Sequence, residues 1–205
     1  MDKSLINHDV LWDHILHNTP FTQTHAIPGV PNHLGAGMLY YAVTYTIRAR
    51  LCVCLGSGGG FVPKLMRQAQ RDAGIADDSE TVLVDADMPS AGWGQPNYMD
   101  KPECYFRKNF DVRIICELTT DAACRFDLAS IHYLHIDADH SYSGAKLDFC
   151  DWSPLVNDDG IITMHDTSYR KAGVSRVLGE IVADGAWAVV DFPKIGMGTA
   201  ILKRA

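Results

Sequence analysis

Two short clusters carry most of the side chains able to do chemistry. Asp137, Asp139 and His140 follow an apolar run over residues 131–136, and His165 and Asp166 follow a second run over 161–164. If both runs are strands of one parallel sheet, their carboxyl ends lie side by side and the clusters meet at one edge. Carboxylates from neighbouring strand ends suit a hard divalent cation, which keeps positions open for a substrate oxygen. Imidazole titrates near neutrality, so histidines at such an edge can take part in proton transfer without strong desolvation. Isolated acids on solvated loops are the ordinary alternative; five titratable side chains in two strand-end clusters argue for a site. His132 and His135 fall on the strand itself, where a histidine is more often a satisfied core group. His8, His14, His17, His25 and His33 share no spacing.

A third feature is the glycine turn Gly56-Ser57-Gly58-Gly59-Gly60, between an apolar run at 51–55 and a helical stretch at 62–73. Glycines there let the backbone turn sharply and approach a ligand with no Cβ in the way. Position 61 is Phe, so the run fits G-x-G-x-G rather than the dinucleotide fingerprint G-x-G-x-x-G. Asp85 closes the next run, at 82–84, where a carboxylate can bind ribose hydroxyls of either NAD or S-adenosylmethionine. A capping aspartate after a strand is the competing explanation.

These residues need a scaffold that brings strand ends together. Apolar runs at 51–55, 82–84, 112–116, 131–136, 161–164, 186–190 and 199–202 are spaced by helical stretches at 35–47, 62–73, 143–155 and 174–183. Short β-branched runs alternating with helices predict an α/β fold, a doubly wound and mostly parallel sheet covered on both faces. Asp158-Asp159-Gly160 reads as a turn ahead of the fifth run. The last two runs are too close for a helical crossover and should form an antiparallel pair. Residues 88–111 lack a clear period, and a loop that long inside a domain is usually functional. Its Trp93, Tyr98, Tyr105 and Phe106 are candidates for the walls of an acceptor pocket, or for packing. Residues 1–34 read as an N-terminal extension packed on a single domain over 35–205.

Composition bounds the rest. Of 205 residues, 47% are hydrophobic and 21% charged, which excludes disorder, collagen and coiled coil. A formal net charge of −7 argues against general affinity for nucleic acid or anionic membrane. No apolar run approaches the ~18 residues of a membrane helix, and the polar start MDKSLINHDVLWDH lacks the apolar core of a signal peptide. Six cysteines include no CxxC pair, which fits a reducing, cytoplasmic location better than a disulfide scaffold. Cys52, Cys54 and Cys116, inside apolar runs, are expected to be buried free thiols.

From Gly35 onward the pattern resembles the class I S-adenosylmethionine-dependent methyltransferases. The resemblance rests on CLGSGGGF, VLVDAD, LHIDADHSY, GIITMHDT and the closing strand pair. It implies a Rossmann-like seven-stranded sheet and a cofactor site of Gly56, Ser57, Gly58, Gly60, Asp85, Thr119 and Asp137. One departure is Cys54, where the family usually has an acid two residues before the first glycine; residues 32–37 are candidates to replace it. Within the superfamily the arrangement is similar to the metal-dependent O-methyltransferases of catechol, macrolide-sugar and antibiotic-pathway type. That similarity implies Asp137 and Asp166 as metal ligands, with His165 standing where some relatives have Glu and Thr167 where others have Asn. His140 stands where the catechol type has its lysine base. The metal implied is Mg²⁺ or Mn²⁺, with Fe²⁺ a further candidate, and a histidine at 165 favours the softer ions. The expected function is divalent-metal-assisted O-methylation of a small molecule such as a sugar, phenol or polyketide. The expected partners are that acceptor and, at most, a second copy in a homodimer, with no nucleic acid or membrane. The competing functions are an NAD(P)-binding oxidoreductase, a metal-dependent hydrolase using the Asp/His cluster, and a degenerate methyltransferase fold serving as a binding module, which Cys54 favours.

Overall fold

In a strand flanked by helices on both sides, alternate residues must all be apolar, and β1 (Leu51–Leu55) meets that demand. Cys52 and Cys54 face one side and Val53 and Leu55 the other, and all four are fully buried. The computed structural model describes residues 25, 34–56, 60–86, 109–169 and 173–205. Among them β2 (Glu80–Val84), β3 (Arg113–Ile115), β4 (Ile131–Ile136), β5 (Val156–His165), β6 (Trp187–Phe192) and β7 (Thr199–Arg204) complete one seven-stranded sheet. Its order is β3-β2-β1-β4-β5-β7-β6. The first five strands run parallel, and β7 inserts antiparallel between β5 and β6. Strand order reverses between β1 and β4, which makes their carboxyl ends the place for a ligand.

The helices α1 (Gly37–Thr46) and α2 (Phe61–Asp72) cover one face, packing Tyr40, Phe61, Leu65 and Met66 against Cys52, Cys54 and Tyr133. The other face carries a short α3 (Thr119–Ala122), then α4 (Tyr142–Trp152) and α5 (Val174–Asp184), with Trp152, Val177 and Ile181 in its core. The start of α4 is fixed by Ser141, whose Oγ accepts from the Gly144 N–H at 3.1 Å. No helix among the described residues is long and apolar enough to cross a membrane.

Two expectations need correction, and one element is new. Asp158-Asp159-Gly160 is not a turn before the fifth strand but part of a longer one. Ile131 pairs with Val156 and Tyr133 with Ile161, so β5 takes up its extra residues as an irregularity in the register. Cys116 is exposed, because β3 ends one residue earlier, at Ile115. The short helix at 119–122 had no counterpart in the sequence reading. The segment containing Trp93, Tyr98, Tyr105 and Phe106, and all of the first 33 residues except His25, lie outside the described residues.

Candidate functional site

The carboxyl ends of β1, β2 and β4 open on a cleft of about 620 Å³ lined by Gly56, Asp85, Thr119, Asp137, His140 and Asp148. Gly56 makes the junction possible. Its φ is +82°, and an added Cβ would lie 2.1 Å from the backbone carbonyl oxygen of Asp137. Neither backbone can retreat, because the Gly56 N–H donates to Val84 O and the Asp137 N–H to Leu55 O, both at 2.9 Å. Asp85, buried, continues from β2 with its N–H on Ile115 O at 3.1 Å. Gly60 sits at the N-cap of α2 with φ +83°. Ser57 and Gly58 lie outside the described residues.

Thr119 and Asp148 form the far wall. The Thr119 hydroxyl donates to Asp148 Oδ1 at 2.5 Å, while Oδ2 is buried without a partner among the described residues. Burial pushes the Asp148 carboxyl up from 3.8 to about 6. A raised carboxyl means that the folded chain binds the proton more tightly than the unfolded one. This side chain therefore costs stability as pH rises from about 4 through about 6. Asp148→Asn keeps an acceptor for Thr119 and removes the charge. It is expected to stabilise the fold at pH 7.5 by on the order of 2 kcal/mol, with the gain gone near pH 4. Urea unfolding at both pH values checks this; an equal gain at pH 4 would show that burial of charge is not the cause.

At the centre stands Asp137, buried and ringed by four imidazoles. His140 Nε2 and His165 Nδ1 each lie 3.2 Å from Oδ1, while His25 Nε2 and His135 Nε2 lie 3.6 and 3.8 Å from Oδ2. Burial pushes the Asp137 carboxyl up, but the imidazoles, His165 foremost, outweigh it and hold it well below the usual carboxylate range. Burial lowers His25 and His135, keeping both neutral. His140 goes the other way: its bond to Asp137 raises it to about 9. Its Nδ1 reaches Asp166 Oδ2 at 3.1 Å, so the protonated ring bridges two carboxylates. Burial raises the Asp166 carboxyl. Asp166 itself has φ +60°, which is uncommon for a residue with a side chain and typical of functional turns. Its Oδ1 lies 3.3 Å from His165 Nδ1.

The structure thus brings Asp137, His140, His165 and Asp166 together; Gly56, Asp85, Thr119, Asp137 and His140 line one strand-end cleft, while His165 and Asp166 are buried beside Asp137 and do not line it. Two sets of side chains have ligand atoms close enough to hold an ion: Asp137, His140 and Asp166, and His25, Asp137 and His165. Asp139 lines the cleft but belongs to neither set, its Oδ1 accepting from the Ser141 N–H at 2.8 Å at the start of α4. Thr167 turns to Asp191, donating to Oδ1 at 2.8 Å. Cys54 is buried with its thiol pushed well up, so it brings no charge to the glycine turn; its Sγ donates to Gly56 O at 3.2 Å. Of its suggested replacements, Leu34 and Ala36 are packed in the core. Sequence reasoning missed His25, which stacks on His165 at 4.1 Å between ring centroids. No spacing signal links positions 25 and 137. It missed Asp148 too, which reads as a polar helix residue.

A family model described as a methyltransferase domain matches residues 53–167. An uncharacterized protein, y4gI, of Sinorhizobium fredii is 28% identical over 166 residues, covering 78% of this chain. The chain spans 18% of the length of that curated relative. Among solved structures, an O-methyltransferase from Bacillus cereus in complex with SAH superposes with a TM-score of 0.65 at 15% identity, covering 98% of this chain and 93% of that one. The SAH-bound methyltransferase PaMTH1 of Podospora anserina gives 0.65 at 12% identity and covers 100% of both chains. The O-methyltransferase TomG of Streptomyces achromogenes, involved in tomaymycin synthesis and bound to SAM, gives 0.60 at 13% identity, covering 82% and 79%. At these identities the likeness is one of fold.

Proposed function

Because this chain belongs to the methyltransferase-domain family, we propose that it transfers a methyl group from S-adenosylmethionine to an oxygen of a small-molecule acceptor. The observation that carries this is convergence. Gly56 after β1, Asp85 after β2, Thr119 after β3 and Asp137 after β4 line one cleft at the point where strand order reverses. The cleft has room for a nucleoside and an amino-acid arm. Asp85 binds the ribose hydroxyls, Gly56 with Ser57, Gly58 and Gly60 lets the backbone approach, and Thr119 and Asp148 flank the base. With Cys54 uncharged, Asp137 is the anion in that cleft for the methionine ammonium.

The donor set also fits a divalent cation. Two carboxylates already share the positive charge of a protonated ring between them, so Asp137 and Asp166 would hold a divalent cation in place of that charge, with His165 beside both. When bound, S-adenosylmethionine supplies an electrophilic methyl and a divalent ion a Lewis acid for the acceptor oxygen. His140 lines the cleft while touching both carboxylates, and in this reading it takes the proton that the acceptor hydroxyl loses. At neutral pH it carries its own proton while Asp137 and Asp166 both face it. It becomes a base once that negative charge is met by something other than its own proton.

Calorimetric titration tests the cofactor. Wild type should bind S-adenosylmethionine and not NAD, and Asp85→Ala should weaken binding about 10–100-fold, the worth of charge-assisted hydrogen bonds. NAD binding without S-adenosylmethionine binding, or an unchanged Asp85→Ala affinity, overturns the assignment.

A further inference from the structure

Two of the imidazoles around Asp137 are held in the same way, by different parts of the chain. His25 Nδ1 hydrogen-bonds the Tyr40 hydroxyl at 3.3 Å, and that hydroxyl bonds Thr199 Oγ1 at 3.2 Å. His135 Nδ1 hydrogen-bonds Thr163 Oγ1 at 2.8 Å. In each ring the outer nitrogen is fixed by a hydroxyl and Nε2 is turned toward Asp137 Oδ2. Orienting one nitrogen through a second group so that the other can ligate is how metal-binding histidines are usually set. His135 Nε2 is fully buried and has no hydrogen-bond partner among the described residues; at 3.8 Å it lies outside hydrogen-bond reach of the carboxylate. A ring nitrogen buried so, and turned to a carboxylate it does not touch, points to a third body between them.

We propose that His25, Asp137 and His165 form a two-histidine, one-carboxylate centre for a borderline divalent ion such as Mn²⁺, Fe²⁺, Co²⁺ or Zn²⁺, with His135 Nε2 aimed into it. Two ligands around an ion at about 2.1 Å stand about 3.0–3.4 Å apart. His165 Nδ1 stands 3.2 Å from Asp137 Oδ1 and His25 Nε2 3.6 Å from Oδ2, so the carboxylate offers one oxygen to each ring, and small side-chain movements would bring the three onto one ion. Imidazole donors favour such ions over Mg²⁺, which prefers oxygen and water. The inference deepens the methyl-transfer reading, sharing Asp137 with it, and makes residue 25 part of the site: the ion ties the chain there to the carboxyl edge of the sheet.

The test is Co²⁺ binding to chelator-stripped protein, followed by calorimetry and by visible absorption of the bound ion. Wild type should take up one equivalent, resistant to a hundredfold excess of Mg²⁺. His25→Ala, folded by circular dichroism, should bind at least about 10-fold more weakly, with an altered spectrum. His25→Gln is the second variant should alanine not fold. In the wild type alone, bound Cu²⁺ should show superhyperfine splitting from at least two imidazole nitrogens. Failure of uptake, displacement by Mg²⁺, or a His25 variant with unchanged affinity and spectrum overturns the site. Affinity for S-adenosylmethionine, measured on the same samples, separates the two ideas. If the cofactor binds and Co²⁺ does not, only this centre fails; if Co²⁺ binds and the cofactor does not, the methyl-transfer reading fails and the centre stands.

Discussion

Asp137→Asn is expected to cost turnover about 10³-fold or more while the chain still folds, the size expected when a charged catalytic group is removed. The amide keeps the shape of the side chain, so β4 and the Leu55 contact survive, but the charge at the centre of four imidazoles is gone. Its loss has a second, separable signature. The bond to Asp137 is the largest cause of the raised His140 value, so that ring should fall from about 9 toward its ordinary 6.5. An NMR titration of the His140 ring reads this directly. The stability consequence follows from the sign. A histidine raised in the folded state contributes stability fully below about pH 6.5, and that contribution fades as pH climbs through about 9. In Asp137→Asn this fade between pH 7 and 9 should be blunted. Turnover within about tenfold of wild type would reduce Asp137 to a structural role and remove the centre of the proposed site.

The second large effect is on the fold. Gly56→Ala must hold a side chain at φ +82°, at a cost of about 1–2 kcal/mol, and press its Cβ against the Asp137 carbonyl. Since that carbonyl belongs to backbone pinned on both sides, the strain cannot be passed to a flexible side chain, and the total should reach at least about 3 kcal/mol. For a chain of this size that is about 6–12 °C in Tm. Gly74→Ala is the matched control. Gly74 also has positive φ, +66°, but an added Cβ meets nothing within 4 Å. It should cost only about 1 kcal/mol. Equal losses in the two variants would mean that the close approach of β1 and β4 at Gly56 is not what constrains the residue.

Much of this was legible in the residues themselves. Buried strands covered on both faces need unbroken apolar runs, so β1, β2 and β4 could be read directly, and Asp85, Asp137 and Asp166 fell at strand ends as expected. The closing pair was readable because its link is too short to cross the sheet. The failures have physical causes. Asp158-Asp159-Gly160 has the composition of a turn, but β5 accommodates it within the strand, a choice made by pairing with β4 and invisible locally. His25 reaches Asp137 through the path of the chain, pinned where Ala36 donates to its carbonyl at 2.8 Å, and no periodicity encodes such a meeting. His140 was read as a neutral base from its ordinary titration range. The two carboxylates that embrace it change that, and only their distances reveal it.

The place of β7 in the sheet also bears on how the molecule stays apart from its copies. β6 precedes β7 in the sequence, yet β7 lies between it and the rest of the sheet and is its sheet neighbour. Without residues 199–204 in place, β5 presents an open edge and β6 has no neighbour in the sheet. Such edges recruit other chains. The closing strand therefore does more than complete the core: it removes two strand edges at which the molecule would otherwise pair with a second chain.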